Sequence, residues 1–282
     1  MPATPRTLVL QSTPPHPLPW VVRCLDSVRQ WAEMQSHEYR CIGDELFADV
    51  PAWYLDKIPN RMAVAADLGR LQWAQRLLDA NKADWIIWLD ADVLLFAPHL
   101  LELGPREHCM FGLEHWIQAE SASNSYAAAK WRVHHNTHNA LACFPRHCPV
   151  LPFLQHAILR LMRRVDPERI APQMMGPKLL GSLHSLVDFE RTSAVGALSP
   201  PVLKELHHLS QAADAPLSTG ALAAAIGAQR EPMAGANLCA TLVADQDNVS
   251  HEQMLTIVNQ LLALGSLPDW VDKTVQIKGS RA

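Results

Sequence analysis

The acidic pair Asp90 and Asp92 is the part of the sequence whose residue types and spacing most directly suggest chemistry. It follows the apolar run at residues 85–89. Because side chains alternate between the faces of a strand, two carboxylates two positions apart lie on one side if the strand continues through them. Hard divalent cations prefer oxygen ligands, and Mg²⁺ is commonly held by one or two carboxylates together with substrate phosphates. We therefore predict that Asp90 and Asp92 bind Mn²⁺ or Mg²⁺ and act in catalysis.

The flanking residues distinguish this pair from an ordinary solvated turn. Large apolar residues occupy positions 85–89 before it and 93–96 after it, and unpaired charge between two buried segments is costly. In open α/β sheets, ligands bind outside the carboxyl ends of the strands, which is where the pair falls. A cation held there would neutralise the charge of a diphosphate leaving group.

Asp67 and Arg70 form a second candidate group. They are three residues apart within a helical pattern over residues 60–80, for which Asn60 is the predicted N-cap. Residues at this spacing share one face of a helix. The two side chains could clamp the hydroxyls of a sugar, or they could form an ordinary surface ion pair, which is common and weak. Spacing alone leaves both interpretations open.

Strand and helix patterns alternate in the elements that must position these residues. The predicted order is a strand at 7–11, a Pro-rich loop at 14–19, a helix at 20–36, a strand at 39–42, the helix at 60–80 and a strand at 85–89. The last of these is continuously apolar, as expected of a central strand covered on both faces. The pattern predicts an α/β fold with a Rossmann-like, mostly parallel central sheet flanked by helices.

The second half of the chain has weaker patterns. They predict strands at 110–113 and 140–144 and helices at 150–164, 202–212 and 252–264. The His-rich segment 134–139 is predicted to be a polar loop that enters a strand. Beyond about residue 194 the composition shifts to Ala, Leu, Ser, Gly and Pro. We therefore predict a core over residues 1–190 and a mainly helical C-terminal extension over residues 191–282 that packs on it.

Composition excludes several classes of function. Hydrophobic residues make up 49% of the chain and charged residues 18%, which favours a folded protein with a large core. The net charge is −4 and no basic run is present, so nucleic acid is not an expected partner. The six cysteines form no C-x-x-C pair, and neither a secretory signal nor an apolar segment of 18 residues is found. We expect a reduced, cytoplasmic protein without a membrane span.

Four segments together carry a resemblance to a known family. They are A-D-L-G-R at 66–70, which is similar to an S-D-x-x-R motif, W-L-D-A-D at 88–92, N-A-L at 139–141 and G-P at 176–177. With these motifs the sequence between about residues 7 and 186 resembles the DXD-motif sugar-binding glycosyltransferases of the GT-A type. That family includes capsular polysaccharide and yeast-type mannosyltransferases and is distantly related to the clostridial glucosylating toxins.

The resemblance implies a function and a role for each site residue. In such a family Asp67 and Arg70 would contact the donor sugar, Asp90 would bridge the sugar or ribose and the metal, and Asp92 would bind the metal directly. Arg70 is also a predicted catalytic residue, with Asp90 and Asp92. Asn139 and Gln11 are further predicted substrate contacts. The implied activity is metal-dependent hexosyl transfer with retention, in polysaccharide biosynthesis, from a nucleotide-sugar donor to a glycan, lipid-linked or protein acceptor. We expect a UDP-sugar first and GDP-mannose second.

The sequence also departs from the family pattern. Residues 81–85 read N-K-A-D-W, whereas the family has Gly-Gly followed by an aromatic residue. This chain is closer here to the W-x-x-W-x-D-x-D pattern of neighbouring GT-A families. The C-terminal His and Ser-Trp element of the family is not recognisable. A third metal ligand therefore cannot be assigned by resemblance, and the candidates are His184, Asp245, Asp247 and His251.

Two alternative functions remain open at this point. A haloacid-dehalogenase-type phosphatase also has an apolar strand followed by D-x-D, with Asp90 as nucleophile, Asp92 as acid and Lys178 as a downstream partner. That motif normally opens the fold, whereas about eighty residues precede it here. The other alternative is a homologue that binds a nucleotide sugar without catalysing transfer, which would explain the missing C-terminal element.

Overall fold

The computed structural model describes residues 5–120, 130–211, 220–240 and 249–267. These residues form nine strands and eight α-helices. The strands are β1 Thr7–Ser12, β2 Glu38–Ile42, β3 Trp85–Leu89, β4 Val93–Leu95, β5 Met110–Ala119, β6 Trp131–Pro145, β7 Glu190–Thr192, β8 Val195–Ala197 and β9 Gly235–Asn237. The helices are α1 Pro19–Met34, α2 Ala52–Lys57, α3 Met62–Asp79, α4 Val150–Arg164, α5 Pro177–Leu183, α6 Pro200–Gln211, α7 Ala221–Ala228 and α8 His251–Leu264.

The central sheet has six strands in the order β2-β1-β3-β6-β5-β7. Three of its five pairings are parallel, and β6 runs antiparallel to both of its neighbours. All five residues of β3 are buried. Ile86 and Trp88 pack on the side that carries α3 and α4, and Trp85, Ile87 and Leu89 pack on the side that carries α1. The predicted α/β class, with a mostly parallel sheet and flanking helices, is confirmed.

The helix patterns of the sequence correspond to α1, α3, α4, α6 and α8, with ends within a few residues of the prediction. The predicted N-cap of α3 is wrong. The helix begins at Met62 after Arg61, and Asn60 lies in the left-handed region with φ 61°. Asn tolerates that region better than most residues, so it serves in the turn before the helix.

The prediction of a polar loop at residues 134–139 is also wrong. Strand β6 begins at Trp131, and its first half pairs with the second half of β5 in an antiparallel ribbon. Many side chains of this half of β6 are exposed or half-buried, so the ribbon needs no run of apolar residues. A strand with two partly solvated faces gives no hydrophobic pattern, which explains why the sequence did not indicate it.

A second sheet joins the C-terminal part of the chain to the acidic pair. It has the order β4-β9-β8, and β4 begins at the residue after Asp92. Helices α6, α7 and α8 pack with α1 around it in a separate apolar cluster. The predicted mainly helical extension therefore also contributes two short strands to the neighbourhood of the site. Among the described residues, no helix combines the length and the apolar character needed to span a bilayer.

Candidate functional site

Asp90 and Asp92 lie in a turn at the carboxyl end of β3. The strand ends at Leu89, and the amide of Val93 donates to the carbonyl of Asp90 over 3.1 Å. The strand thus ends where the sequence predicted and does not continue through the two acids, which lie together in a turn instead of on one face of a strand. Burial, and after it the charge of Asp90, raises the pKa of Asp92 to about 6. The two carboxylates are thus close enough to repel each other.

Asp92 is held by the C-terminal part of the chain. Its Oδ2 accepts a hydrogen bond of 2.8 Å from the amide of Ala240, and its carbonyl accepts one of 3.0 Å from the amide of Leu238. Both donors follow β9, in which a Cβ on Gly235 would lie 2.5 Å from the carbonyl oxygen of Leu94. The sequence shows no strand pattern for this segment, because three residues are too few to show a strand period. The Gly-Ala pair that begins β9 was the only local signal.

Arg70 connects the second candidate group to the acidic turn. Its Nη1 lies 2.9 Å from Asp90 Oδ1 and donates over 2.6 Å to the carbonyl of Asn139, while its Nη2 lies 3.4 Å from Asp67 Oδ1. Asp67 and Arg70 are each only 5% exposed. The alternative of a weak surface ion pair is therefore wrong. Buried charges of this kind persist only when they are paired and hydrogen-bonded, and here they are.

Asn139 and Gly176 complete this group, which we call the clamp: Asp67, Arg70, Asn139 and Gly176. The Nδ2 of Asn139 donates to Asp67 Oδ1 over 2.8 Å. A Cβ on Gly176 would lie 2.7 Å from that nitrogen and 2.8 Å from Asp67 Oδ1, so a larger residue would displace the clamp. Burial raises the pKa of Asp67 to about 6, against the opposing effects of Arg70 and Asn139.

Gln11 and Trp88 fix the orientation of Asp90. Trp88 donates from Nε1 to Asp90 Oδ1 over 2.7 Å, and the Nε2 of Gln11 donates to the carbonyl of Asp90 over 3.1 Å. The Oε1 of Gln11 accepts from the hydroxyl of Tyr39 over 3.0 Å, and the Gln11 side chain is fully buried. The structure therefore gives Gln11 a positioning role, where the sequence predicted a contact with substrate.

The acidic turn fits a hard divalent cation that also has substrate oxygens as ligands. Arg70 already compensates Asp90, whereas no described cation forms an ion pair with Asp92. A carboxylate whose ionisation is opposed by burial and by a like charge is stabilised by a metal ion. Within the described parts of the chain, no cluster of three His, Cys, Asp or Glu side chains could hold a metal by itself. The remaining ligands would be phosphate oxygens and water, the usual arrangement for Mg²⁺.

The other predicted ligands do not join this group. His251 accepts from Trp20 Nε1 over 3.3 Å, and His184 is exposed and packs edge-on against Phe189. Asp245 and Asp247 lie outside the described residues. Lys178, which the phosphatase alternative needs near Asp90, is an exposed residue of α5, and no described contact joins the two.

His138 is a buried residue of the site region to which the sequence gave no role of its own. Its Nε2 lies 3.0 Å from the carbonyl of Val195 in β8, and because a carbonyl only accepts, this nitrogen carries the proton. The ring lies over Gly112, where a Cβ would be 2.1 Å from Nε2. Burial lowers the pKa of His138 to about 4. The neutral ring therefore links β6, next to Asn139, to the second sheet.

Comparison with known proteins gives matches at low sequence identity only. No protein-family model and no curated protein matches the sequence. The chain is similar to a solved glycosyltransferase involved in the glycosylation of the major capsid of PBCV-1, with a TM-score of 0.44 and 9% identity over 91% of this chain and 100% of that one. It is also similar to the catalytic domain of Drosophila beta-1,4-galactosyltransferase 7 in complex with xylobiose, with a TM-score of 0.29 and 11% identity over 58% and 66% of the two chains. A mutant of that Drosophila enzyme in complex with manganese, UDP-Gal and xylobiose gives a TM-score of 0.28 and 12% identity over 66% and 76%.

Proposed function

We propose that this chain is a metal-dependent glycosyltransferase with a GT-A-like core, which moves a sugar from a nucleotide-sugar donor to an acceptor hydroxyl. The observation that carries the proposal is the continuous polar network from the clamp through Arg70 to Asp90 and the adjacent Asp92. One end of the network offers carboxylate and amide groups that suit sugar hydroxyls. The other end offers a carboxylate that has no ion-pair partner among the described residues and that suits a cation on a diphosphate.

The acidic turn would act on the leaving group. Asp92 would hold Mn²⁺ or Mg²⁺, with Asp90 beside it, and the bound ion would supply positive charge for the departing diphosphate. Trp88 and Arg70 bind the same oxygen of Asp90, so that carboxylate is oriented before substrate arrives. Groups that need no reorganisation during the reaction are the most effective at stabilising charge that develops in the transition state.

The clamp would act on the sugar. Asp67 and Asn139 can accept from and donate to hydroxyls, and Arg70 holds both in place. The pKa of Asp67 is raised to about 6, which means that Arg70 and Asn139 do not fully offset the cost of burying its charge. At neutral pH the carboxylate is ionised, and hydroxyl donors of the sugar would provide the missing hydrogen bonds. A UDP-sugar remains our first expectation for the donor and GDP-mannose our second. We expect retention of configuration, as in the family that the motifs resemble.

Calorimetric and thermal-shift titrations with UDP- and GDP-sugars test the proposal directly. One donor should give heat and raise the melting temperature when Mn²⁺ is present, since a ligand that binds only the folded state stabilises it. Asp92→Ala should remove the dependence on Mn²⁺. The absence of heat and of a shift with every donor would contradict the proposal.

A further inference from the structure

A polar cavity of about 450 Å³ lies between the β5–β6 ribbon, α5 and β7. Small-molecule sites commonly measure about 300–1,000 Å³, so a sugar-sized ligand fits. The side chains that matter for its chemistry are Glu114, Thr137, Lys178, His184 and Arg191. None of them has a role in the proposed function above.

The cavity adjoins the sugar end of the site. Pro177, which lines it, follows Gly176 of the clamp, and Thr137 lies two residues before Asn139 on β6. The pKa of the Cys239 thiol is raised, first by burial and then by the charges of Asp92, Glu114 and Asp90, so Glu114 and the acidic turn both act on this one thiol. A ligand in the cavity would therefore lie beside a sugar held by the clamp.

The charges of the lining point to an anionic ligand. Lys178 and Arg191 are fixed cations, and within the described residues neither forms an ion pair with a carboxylate. The imidazole of His184 also lines the cavity. Charge-assisted hydrogen bonds to phosphate or carboxylate are about twice as strong as neutral ones, and Arg binds both groups with two parallel donors. In a chain of net charge −4, two neighbouring cations without an ion-pair partner in the described part of the chain are a specific feature.

Glu114 supplies the complementary group for hydroxyls. Its Oε1 accepts from the Nδ2 of Asn136 over 3.0 Å, which fixes the side chain within the wall of the cavity. A held carboxylate accepts hydrogen bonds from hydroxyl donors and repels an anion. An anionic group would accordingly bind at Lys178 and Arg191, with the hydroxyl-bearing part of the same molecule at Glu114.

We propose that this cavity is the acceptor site and that it takes a saccharide carrying a phosphate or carboxylate group. The assignment rests on the proposed glycosyltransferase function. In the transfer, the acceptor oxygen bonds to the anomeric carbon, and the bond to the diphosphate breaks with its electron pair leaving on the diphosphate. The hydroxyl proton passes to the departing diphosphate, so Glu114 binds the acceptor without having to receive that proton.

The test uses the full chain with Mn²⁺ and UDP, after donor titration has been carried out on the same protein. The probes are glucose 6-phosphate, glucuronic acid, glucose and inorganic phosphate, and binding is measured by calorimetry. One or both anionic sugars should bind about tenfold or more tightly than glucose, and the difference between them identifies the phosphate or carboxylate group. Lys178→Ala with Arg191→Ala should remove this preference. Arg23→Ala with Arg160→Ala, which changes two exposed cations of α1 and α4, is the matched control and should leave it unchanged.

Several results would overturn the inference. Equal binding of glucose and both anionic sugars, or no binding of any probe, would do so. Inorganic phosphate bound as tightly as glucose 6-phosphate would reveal an anion site that does not recognise a saccharide. If Lys178→Ala with Arg191→Ala weakened binding of the nucleotide sugar itself, the cavity would belong to the donor. Failure of the donor titration would instead contradict the proposed function, so the two failures are distinguishable.

Discussion

The clamp and the neighbouring cavity both contain charged groups, but the groups are held in opposite ways. In the clamp, Asp67 and Arg70 are buried, and each charge is bound by at least one partner. In the cavity, Lys178 and Arg191 are exposed and have no described ion-pair partner. The difference teaches that the clamp also supports the fold, whereas the proposed role of the cavity is ligand binding alone. Substitutions in the two regions should therefore differ in what they do to stability.

The largest effect on activity is expected at the metal end of the network. Asp92→Asn should lower Mn²⁺-dependent transfer at least about a hundredfold, because it removes the proposed direct ligand. Its melting temperature without metal should be equal to or higher than that of the wild type. The folded pKa of Asp92 is raised to about 6, so at neutral pH its charge opposes folding, and Asn removes that charge.

Transfer assays and thermal denaturation check this prediction. Asp44→Asn, which removes an exposed carboxylate far along the chain from the motif, is the control and should change neither quantity. Full activity of Asp92→Asn would contradict the assignment of the metal site.

The clearest contrast in stability is expected between Arg70 and Lys178. Arg70→Ala should lower the free energy of unfolding by about 3–5 kcal/mol. The substitution leaves the buried carboxylate of Asp67 and the partly buried carboxylate of Asp90 without their cation. Lys178→Ala should change that free energy by less than about 0.5 kcal/mol, as expected of an exposed side chain. Urea denaturation of both variants measures the difference. Equal effects of the two substitutions would remove the distinction between clamp and cavity.

Acid should destabilise the protein through His138. Its folded pKa of about 4 is below its ordinary value of 6.5, so its contribution to stability is present above pH 6.5 and is lost as the pH falls towards 4. Asp67 and Asp92 act in the opposite direction, since their raised pKa values favour folding below about pH 6. The comparison therefore needs the variant His138→Gln.

Between pH 7.5 and 4.5 the wild type should lose about 2 kcal/mol of unfolding free energy relative to His138→Gln. Urea denaturation at a series of pH values checks this. Parallel pH profiles for the two proteins would show that the buried ring does not titrate as the structure indicates.

A smaller difference in donor binding is expected between substitutions of two glycines, Gly176 just before α5 and Gly181 within it. Gly176→Ala should weaken donor-sugar binding about tenfold, because the added Cβ would meet Asn139 and Asp67 within 2.8 Å. Gly181→Ala is the matched control, since its Cβ would meet nothing within 4 Å. Calorimetry with the donor and with the nucleotide alone measures both. Nucleotide binding should change little in either variant, and equal donor affinities would indicate that the clamp does not contact the sugar.

The sequence predicted those parts of the molecule whose signals are local. The buried strand β3 is continuously apolar, the helices α1 and α4 have strong apolar periods, and α3 is rich in helix-forming residues, so the acidic turn follows a strand that the sequence identifies. It did not predict the support of Asp92 by Ala240, because that contact joins residues 148 positions apart through a three-residue strand. Nor did it separate a surface ion pair from the buried clamp. The spacing of Asp67 and Arg70 is identical in both cases, and only Asn139 and Asp90, brought in by the sheet, make the difference.

A crystal structure of the chain with Mn²⁺ and the donor nucleotide sugar tests the central claim most directly. We expect a metal ion bound by a carboxylate oxygen of Asp92 and by diphosphate oxygens, with the sugar hydroxyls at Asp67, Arg70 and Asn139. A nucleotide bound elsewhere, or a sugar that makes no contact with the clamp, would contradict it.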